Sequence, residues 1–215
     1  MAKAPIPGTV KTRLAPPLTL EQAADLSRAL LLDQLEHLTE LEDAELYVAF
    51  APSDAMSLIA SMVPAGYRCF PHRGGDLGER MSQVFTELRR RGHRSLIMIG
   101  SDLPPVPLDT FHLGFAQLSA GEKRVVLGPS LDGGYYLVGM NQPVPEVFSG
   151  MTWSHDQVLA ETVQRLTRLG IDFTLLPQWF DVDKVSDIAR LRAIRDSAVR
   201  SAMKRTVLCL EQLRV

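Results

Sequence analysis

The sequence predicts an α/β fold, a mostly parallel sheet with helices on both faces. Short apolar runs recur along the chain, and amphipathic stretches of helical period alternate with them. The apolar runs are near-continuous rather than alternating, the pattern of strands covered on both faces. With 215 residues, 46% of them hydrophobic, and no internal repeat, low-complexity tract or Gly/Ser linker, residues 1–215 read as a single domain.

The strand candidates are Glu45 to Ala51, Tyr67 to Phe70, Ser95 to Gly100, Arg124 to Gly128, Tyr135 to Gly139 and Asp172 to Leu176. A first helix follows the capping-box sequence Thr19-Leu-Glu-Gln22, with Ala23, Leu26, Leu30, Leu31, Leu35 and Leu38 at spacings of three and four. A second starts near Asp76, places Leu77, Met81, Val84, Phe85 and Leu88 on one stripe, and stops at Gly92, a suitable left-handed cap. A third is expected to open on a further capping box, Ser154 to Gln157, and to run through Val158, Leu159, Val163, Leu166 and Leu169 to Gly170. The tail from about Val185 reads as one or two helices. In such a sheet, ligands bind beyond the carboxyl ends of the strands.

No apolar stretch approaches the roughly 20 residues needed to span a bilayer, and the N-terminus lacks the apolar core of a secretory signal. The expectation is a cytoplasmic protein without a membrane span. Cys69 and Cys209 lie far apart and suggest neither a disulfide framework nor a zinc site. A net charge of −2 argues against a nucleic-acid partner. It conceals an asymmetry, because residues 1–20 carry Lys3, Lys11 and Arg13 and no acid. That distribution fits a small cationic pocket for a phosphorylated ligand.

Five segments carry candidate chemistry. Lys3 to Arg13 (KAPIPGTVKTR) is stiffened by prolines, and Gly8 lets the backbone approach a ligand. Its ammonium and guanidinium groups suit phosphate oxygens, although the spacing is not that of a P-loop and a solvated basic turn is the alternative. Gly74 to Met81 begins a helix; Asp76 with Glu79 suits a cap, while Arg80 and the open N–H groups suit an anionic or ribose group. In Gly100-Ser-Asp102-Leu-Pro104 an Asp stands at the carboxyl end of the most apolar strand, the place for a ligand to a hard cation. Leu131-Asp132-Gly133-Gly134-Tyr135 is either a plain turn or an acceptor-side loop, with Tyr135 supplying a ring face or a hydroxyl. In Phe180-Asp-Val-Asp183, Asp183 is either a helix N-cap or the second carboxylate on one metal ion with Asp102.

Taken in order, Ala2-Lys-Ala-Pro-Ile-Pro-Gly-Thr-Val-Lys-Thr-Arg-Leu, Gly75-Asp-Leu-Gly-Glu-Arg-Met, Gly100-Ser-Asp-Leu-Pro, Asp132-Gly-Gly-Tyr-Tyr-Leu-Val-Gly and Asp181-Val-Asp make the sequence resemble the bacterial DUF2064 group of GT-A glycosyltransferases. That group includes members described as arsenosugar-biosynthesis transferases. The chain is more distantly similar to the guanylyltransferases of phospholactate and molybdenum-cofactor synthesis. The resemblance implies a nucleotide-diphospho-sugar transferase-like GT-A fold, a Mg²⁺ or Mn²⁺ requirement, and acceptor contacts at Trp153 and Ser154. Members carry an apolar strand directly before the Lys-Ala-Pro loop, where this chain has only Met1 and Ala2; the expectation is a truncated first strand and a translation start further upstream. The family's Trp-Ser-Thr stands here as Trp153-Ser154-His155, and its Asp-Val-Asp-Thr as Asp181-Val182-Asp183-Lys184.

The leading expectation is a glycosyltransferase using a nucleotide-diphosphate sugar. Lys3, Gly8, Lys11, Arg13, Asp76 and Arg80 bind the nucleotide and its phosphates, and Asp102 and Asp183 hold the metal. Asp132, Gly133, Gly134, Tyr135, Trp153 and Ser154 face the acceptor. Asp102, Asp132 and Lys11 form the catalytic set, Asp132 as a possible base. A nucleotidyltransferase releasing pyrophosphate is the alternative, favoured by the single Asp of the strand-end motif where many GT-A glycosyltransferases have Asp-x-Asp. A nucleotide-binding protein without catalysis is the third. Base, sugar, acceptor and oligomeric state are not specified.

Overall fold

A computed structural model describes residues 1–213. Along the chain run β1 (Ala2–Lys3), α1 (Leu20–Leu38), β2 (Tyr47–Ala51), α2 (Met56–Met62), β3 (Arg68–Pro71), α3 (Leu77–Arg90), β4 (Leu96–Ile99), α4 (Leu108–Ser119), β5 (Arg124–Pro129), β6 (Tyr135–Met140), α5 (Val158–Arg168), β7 (Asp172–Leu175), α6 (Val185–Arg192), α7 (Ser197–Ala202) and α8 (Lys204–Gln212). The chain divides into two compact units. The first comprises Met1–Pro71, Gly100–Pro107 and the chain from Asp181; the second comprises His72–Ile99 and Leu108–Phe180.

The first unit is built on a parallel sheet of order β1-β2-β3, in which Ala2 pairs with Phe50 and Val48 with Cys69. Its core gathers Ala2, Ala4, Leu31, Leu35, Val48, Phe50 and Ile59. The Thr19 box forms as read: the Thr19 hydroxyl accepts the Gln22 N–H at 3.2 Å and Gln22 Oε1 accepts the Thr19 N–H at 2.9 Å. α1 also buries the polar side chains of Asp33, Gln34 and His37. The fully buried Asp33 carboxylate accepts the N–H groups of Arg205 at 3.1 Å and Thr206 at 2.7 Å, capping α8, which packs along α1.

The second unit holds a sheet of order β4-β6-β5-β7, antiparallel at its first two pairings and parallel between β5 and β7. Val125, Val126, Leu127 and Leu137 are fully buried, in keeping with near-continuous apolar strands. α3 is capped by Asp76, whose Oδ1 accepts the Glu79 N–H at 2.9 Å.

Each strand read from apolar runs is present to within two residues at either end. The third helix departs from the expectation. Ser154 does not cap it but sits in a turn at φ 68°, and α5 begins only at Val158. α2 and α4 were not anticipated; α2 has seven residues, too few for a readable period, and α4 carries Gly114 in its interior. The tail forms three helices, because Asp196 and the buried Asp33 each cap a separate start. No described helix is long and apolar enough to cross a membrane.

Candidate active site

The basic loop is a closed structure. After β1, the Ala4 N–H bonds to the Ala51 carbonyl at 2.8 Å, and the Thr9 N–H turns back to the Ile6 carbonyl at 3.0 Å around Gly8, whose φ is +77°. Lys3 Nζ donates to the Thr9 carbonyl at 2.6 Å and staples the two ends. Val10, Leu14 and Leu18 are buried and anchor the exit towards α1.

Lys11 differs from the other two cations. Its backbone is left-handed, φ 50° and ψ 30°, which is uncommon for a residue with a side chain and signals that the surroundings dictate its direction. The side chain is 1% exposed, and Nζ lies 3.1 Å from Asp102 Oδ1 and 3.5 Å from Asp183 Oδ1. One ammonium therefore gathers the two carboxylates selected from the strand-end and late Asp motifs. Arg13, 67% exposed, brings Nη1 to 4.0 Å from the other Asp183 oxygen.

The backbone joins the two Asp segments as well, since the Val182 N–H donates to the Asp102 carbonyl at 2.8 Å. Two sets of residues not anticipated from sequence hold these segments. Asp187 Oδ2 accepts the N–H groups of Asp183 at 2.9 Å and Lys184 at 2.8 Å, with Arg190 on its other oxygen at 2.9 Å. That acid supplies the capping, so the Asp183 carboxylate points to Lys11. The signal was an acid three residues into α6. On α1, Gln34 Oε1 accepts the Val106 N–H at 3.0 Å and His37 Nε2 lies 3.1 Å from the Val106 carbonyl, pinning the segment that follows Asp102. A carbonyl only accepts, so His37 carries its proton on Nε2. Polar residues on an otherwise apolar helix face were the legible sign.

The chemistry of this donor set fits a hard divalent cation. Asp102 and Asp183 are 46% and 43% exposed, offer oxygen ligands, and already face a positive charge. Among the described residues no group of three or more His, Cys, Asp or Glu side chains is arranged to hold a metal ion. A cation there would complete its shell with water and substrate oxygens.

The remaining candidates lie in the second unit. Arg80 Nε and Nη2 donate to the carbonyls of Gly74 and Gly75, each at 3.1 Å, and Glu79 accepts the Gly75 N–H at 2.7 Å, so Asp76 and Arg80 shape the loop that opens α3. Trp153 packs on that same turn: a Cβ at Gly78 would lie 2.9 Å from the indole. The Trp153 ring continues a row with Phe148 and Phe85, and its buried Nε1 has no hydrogen-bond partner among the described residues. Arg165 on α5 supports this segment through the carbonyls of Ser149 and Gly150.

Asp132 Oδ1 accepts the Gly134 N–H at 3.0 Å, closing a turn. Gly133, at φ +90°, accepts the Leu159 N–H on its carbonyl oxygen at 2.9 Å, and a Cβ on it would stand 2.1 Å from the Asp156 carbonyl oxygen. Only glycine fits. The Tyr135 hydroxyl is buried and has no partner at hydrogen-bond geometry among the described residues; burial raises its pKa, partly offset by Thr162 and Arg165. Tyr136 donates to the Pro177 carbonyl at 2.9 Å, and burial pushes its hydroxyl up to about 12. His155 accepts the Gln157 N–H on Nδ1 at 3.2 Å and donates from Nε2 to the Thr152 carbonyl at 2.8 Å, holding the turn that contains Ser154.

Among curated proteins none matches the chain. Among solved structures, a protein of Desulfovibrio desulfuricans G20, provisionally described as a nucleotide-diphospho-sugar transferase, is 30% identical and superposes with a TM-score of 0.84 over 98% of this chain and 94% of its own. A 4-diphosphocytidyl-2C-methyl-D-erythritol synthase from Anaerococcus prevotii DSM 20548 is 8% identical with a TM-score of 0.56, over 76% of this chain and 84% of that one. A second protein of that name gives 14%, 0.52, 76% and 86%. These two likenesses concern the fold alone; the likeness to the 30% identical structure makes the fold the α/β fold of nucleotide-diphospho-sugar transferases, GT-A-like. Residues 34–155 match the family of uncharacterized proteins conserved in bacteria, DUF2064, and the chain belongs to that family.

Proposed function

We infer that the protein is a metal-dependent transferase acting on a nucleotide-activated donor, a glycosyltransferase using a nucleotide-diphosphate sugar. The observation that carries the reading is the meeting of Lys11, Asp102 and Asp183, which come from three distant parts of the sequence to one point. The 30% identical protein from Desulfovibrio, provisionally described as a nucleotide-diphospho-sugar transferase, supports the same class.

Asp102 and Asp183 hold the cation, which when bound supplies positive charge to the departing diphosphate. Lys3 and Arg13, exposed at the rim of the loop, attract and orient the phosphates; Arg13 has the forked geometry for two oxygens. Lys11 adds a point charge that needs no reorientation by solvent, because its side chain is buried. Catalysis on this reading is positioning and electrostatic stabilisation. To the second unit we assign the nucleotide contacts of Asp76 and Arg80 and the acceptor contacts of Asp132, Gly133, Gly134, Tyr135, Trp153 and Ser154. Asp132 is the candidate base there, since its carboxylate is exposed.

A nucleotidyltransferase is the second reading, favoured by the single Asp of Gly100-Ser-Asp102-Leu-Pro. Incubating the protein with Mn²⁺ and panels of nucleotide sugars and nucleoside triphosphates separates the two. The expected product is nucleoside diphosphate from a nucleotide sugar, lost on removing Mn²⁺ and in Asp102→Ala. Pyrophosphate release instead establishes the second reading. Silence in both assays, with a ligand-induced rise in melting temperature, makes the protein a nucleotide-binding module.

A further inference from the structure

Lys11 is in an unusual position for a phosphate-binding lysine. Its side chain is 1% exposed while the carboxylates it faces are 46% and 43% exposed, so the ammonium approaches them from the protein side and they open to solvent. The contact is reciprocal. An ammonium taken out of water is tolerated only with counter-charges, and two neighbouring carboxylates are tolerated only with a cation between them. Nζ also lies 3.4 Å from the Asp102 carbonyl, and the Leu14 N–H holds the Lys11 carbonyl at 2.9 Å, so the left-handed backbone aims the side chain at this place.

We propose that Lys11 is an internal counter-ion that closes the Asp102 and Asp183 pair to divalent cations until a phosphorylated ligand engages its ammonium. The proposal rests on the reading of these carboxylates as metal ligands. A divalent cation bound to them with Lys11 in place meets a like charge at close range. Phosphate oxygens neutralise that charge and release the carboxylates for the cation. Metal and nucleotide then bind cooperatively, and each raises the affinity of the other by one factor, as linkage requires. The device discourages metal binding to the empty protein and reserves it for the loaded one. Arg13, at 4.0 Å from Asp183 and largely exposed, remains at the rim as the first cation that a phosphate meets.

The test measures Mn²⁺ affinity without nucleotide, from the free-Mn²⁺ electron paramagnetic resonance signal, for the unaltered protein, Lys11→Met, and Lys11→Met combined with Asp102→Asn. Lys11→Met is expected to bind Mn²⁺ tighter by on the order of tenfold or more, and the double variant to lose that gain. A folded Lys11→Met protein with unchanged, Asp102-dependent affinity overturns the counter-ion role and leaves the carboxylates as ligands. Absence of any Asp102-dependent Mn²⁺ binding, with or without a nucleoside diphosphate, overturns both. Should Lys11→Met fail to fold, ε-¹³C-lysine spectra of the unaltered protein decide: with saturating Mg²⁺ and nucleoside diphosphate the signal of the buried lysine is expected to move, and an unmoved signal overturns the proposal.

Discussion

Asp102 contributes through two atoms: its carbonyl receives the Val182 N–H, which joins the two Asp segments, and its carboxylate faces Lys11. Exchange of the side chain therefore removes charge while leaving the backbone join in place. Gly133 presents the opposite case, in which the backbone is the function and any side chain is an obstruction. In Gly133→Ala the added Cβ meets the Asp156 carbonyl at 2.1 Å with φ at +90°, so a loss of about 1–3 kcal/mol in urea unfolding is expected. A loss below about 0.5 kcal/mol would show that the loop opens freely. The importance of this glycine was only half legible in sequence. Asp-Gly-Gly announces a turn, but the carbonyl that fills the space beside Gly133 belongs to residue 156 and is invisible to local pattern.

The start of α6 shows what an element contributes to a site. Asp187 occupies two free N–H groups of that start, and both belong to the residues that present the Asp183 carboxylate. Asp187→Ala leaves these donors without their partner, and a destabilisation of about 1–3 kcal/mol is expected. Calorimetric titration is expected to show weakened Mn²⁺-nucleotide binding as well, with Asp187→Asn restoring part of both because an amide oxygen still accepts. A variant that loses stability but keeps ligand affinity would separate capping from positioning. Strands were read to within two residues because apolar runs ending in Gly, Pro or Asp are local signals. Helix starts were less secure. Thr19 caps as its sequence suggests, whereas Ser154 has the same signature and does not, since His155 takes the backbone partners that make a turn there. At Asp183 the sequence allows a cap or a ligand, and in the structure the capping bonds come from Asp187.

At the scale of the molecule, sequence order and spatial units disagree. The first unit draws on three stretches of chain, and the segment carrying Asp102 is entered and left through the second unit. Pro71, Gly100 and Pro107 stand at three of those crossings, but they read equally as ordinary strand ends and turns. The resemblance carried the fold, because a fixed order of five motifs constrains topology in a way that hydrophobic period alone does not. A chain ending at Phe180 is expected to lose the first unit. It lacks Asp183 and α8, the helix that packs along α1 and supplies the Arg205 and Thr206 N–H groups to the Asp33 carboxylate. Amide exchange of α1 reports the outcome, and native protection of that helix in the shortened chain would refute it. The distance between partners also sets a schedule. Lys11 and Asp183 are 172 positions apart, so at about 5–20 residues per second the ribosome releases the lysine on the order of ten seconds before the carboxylate exists. Through that interval the side of α1 that packs on α7 and α8 has no cover, while its other apolar partners, Val48, Phe50 and Ile59, are already made.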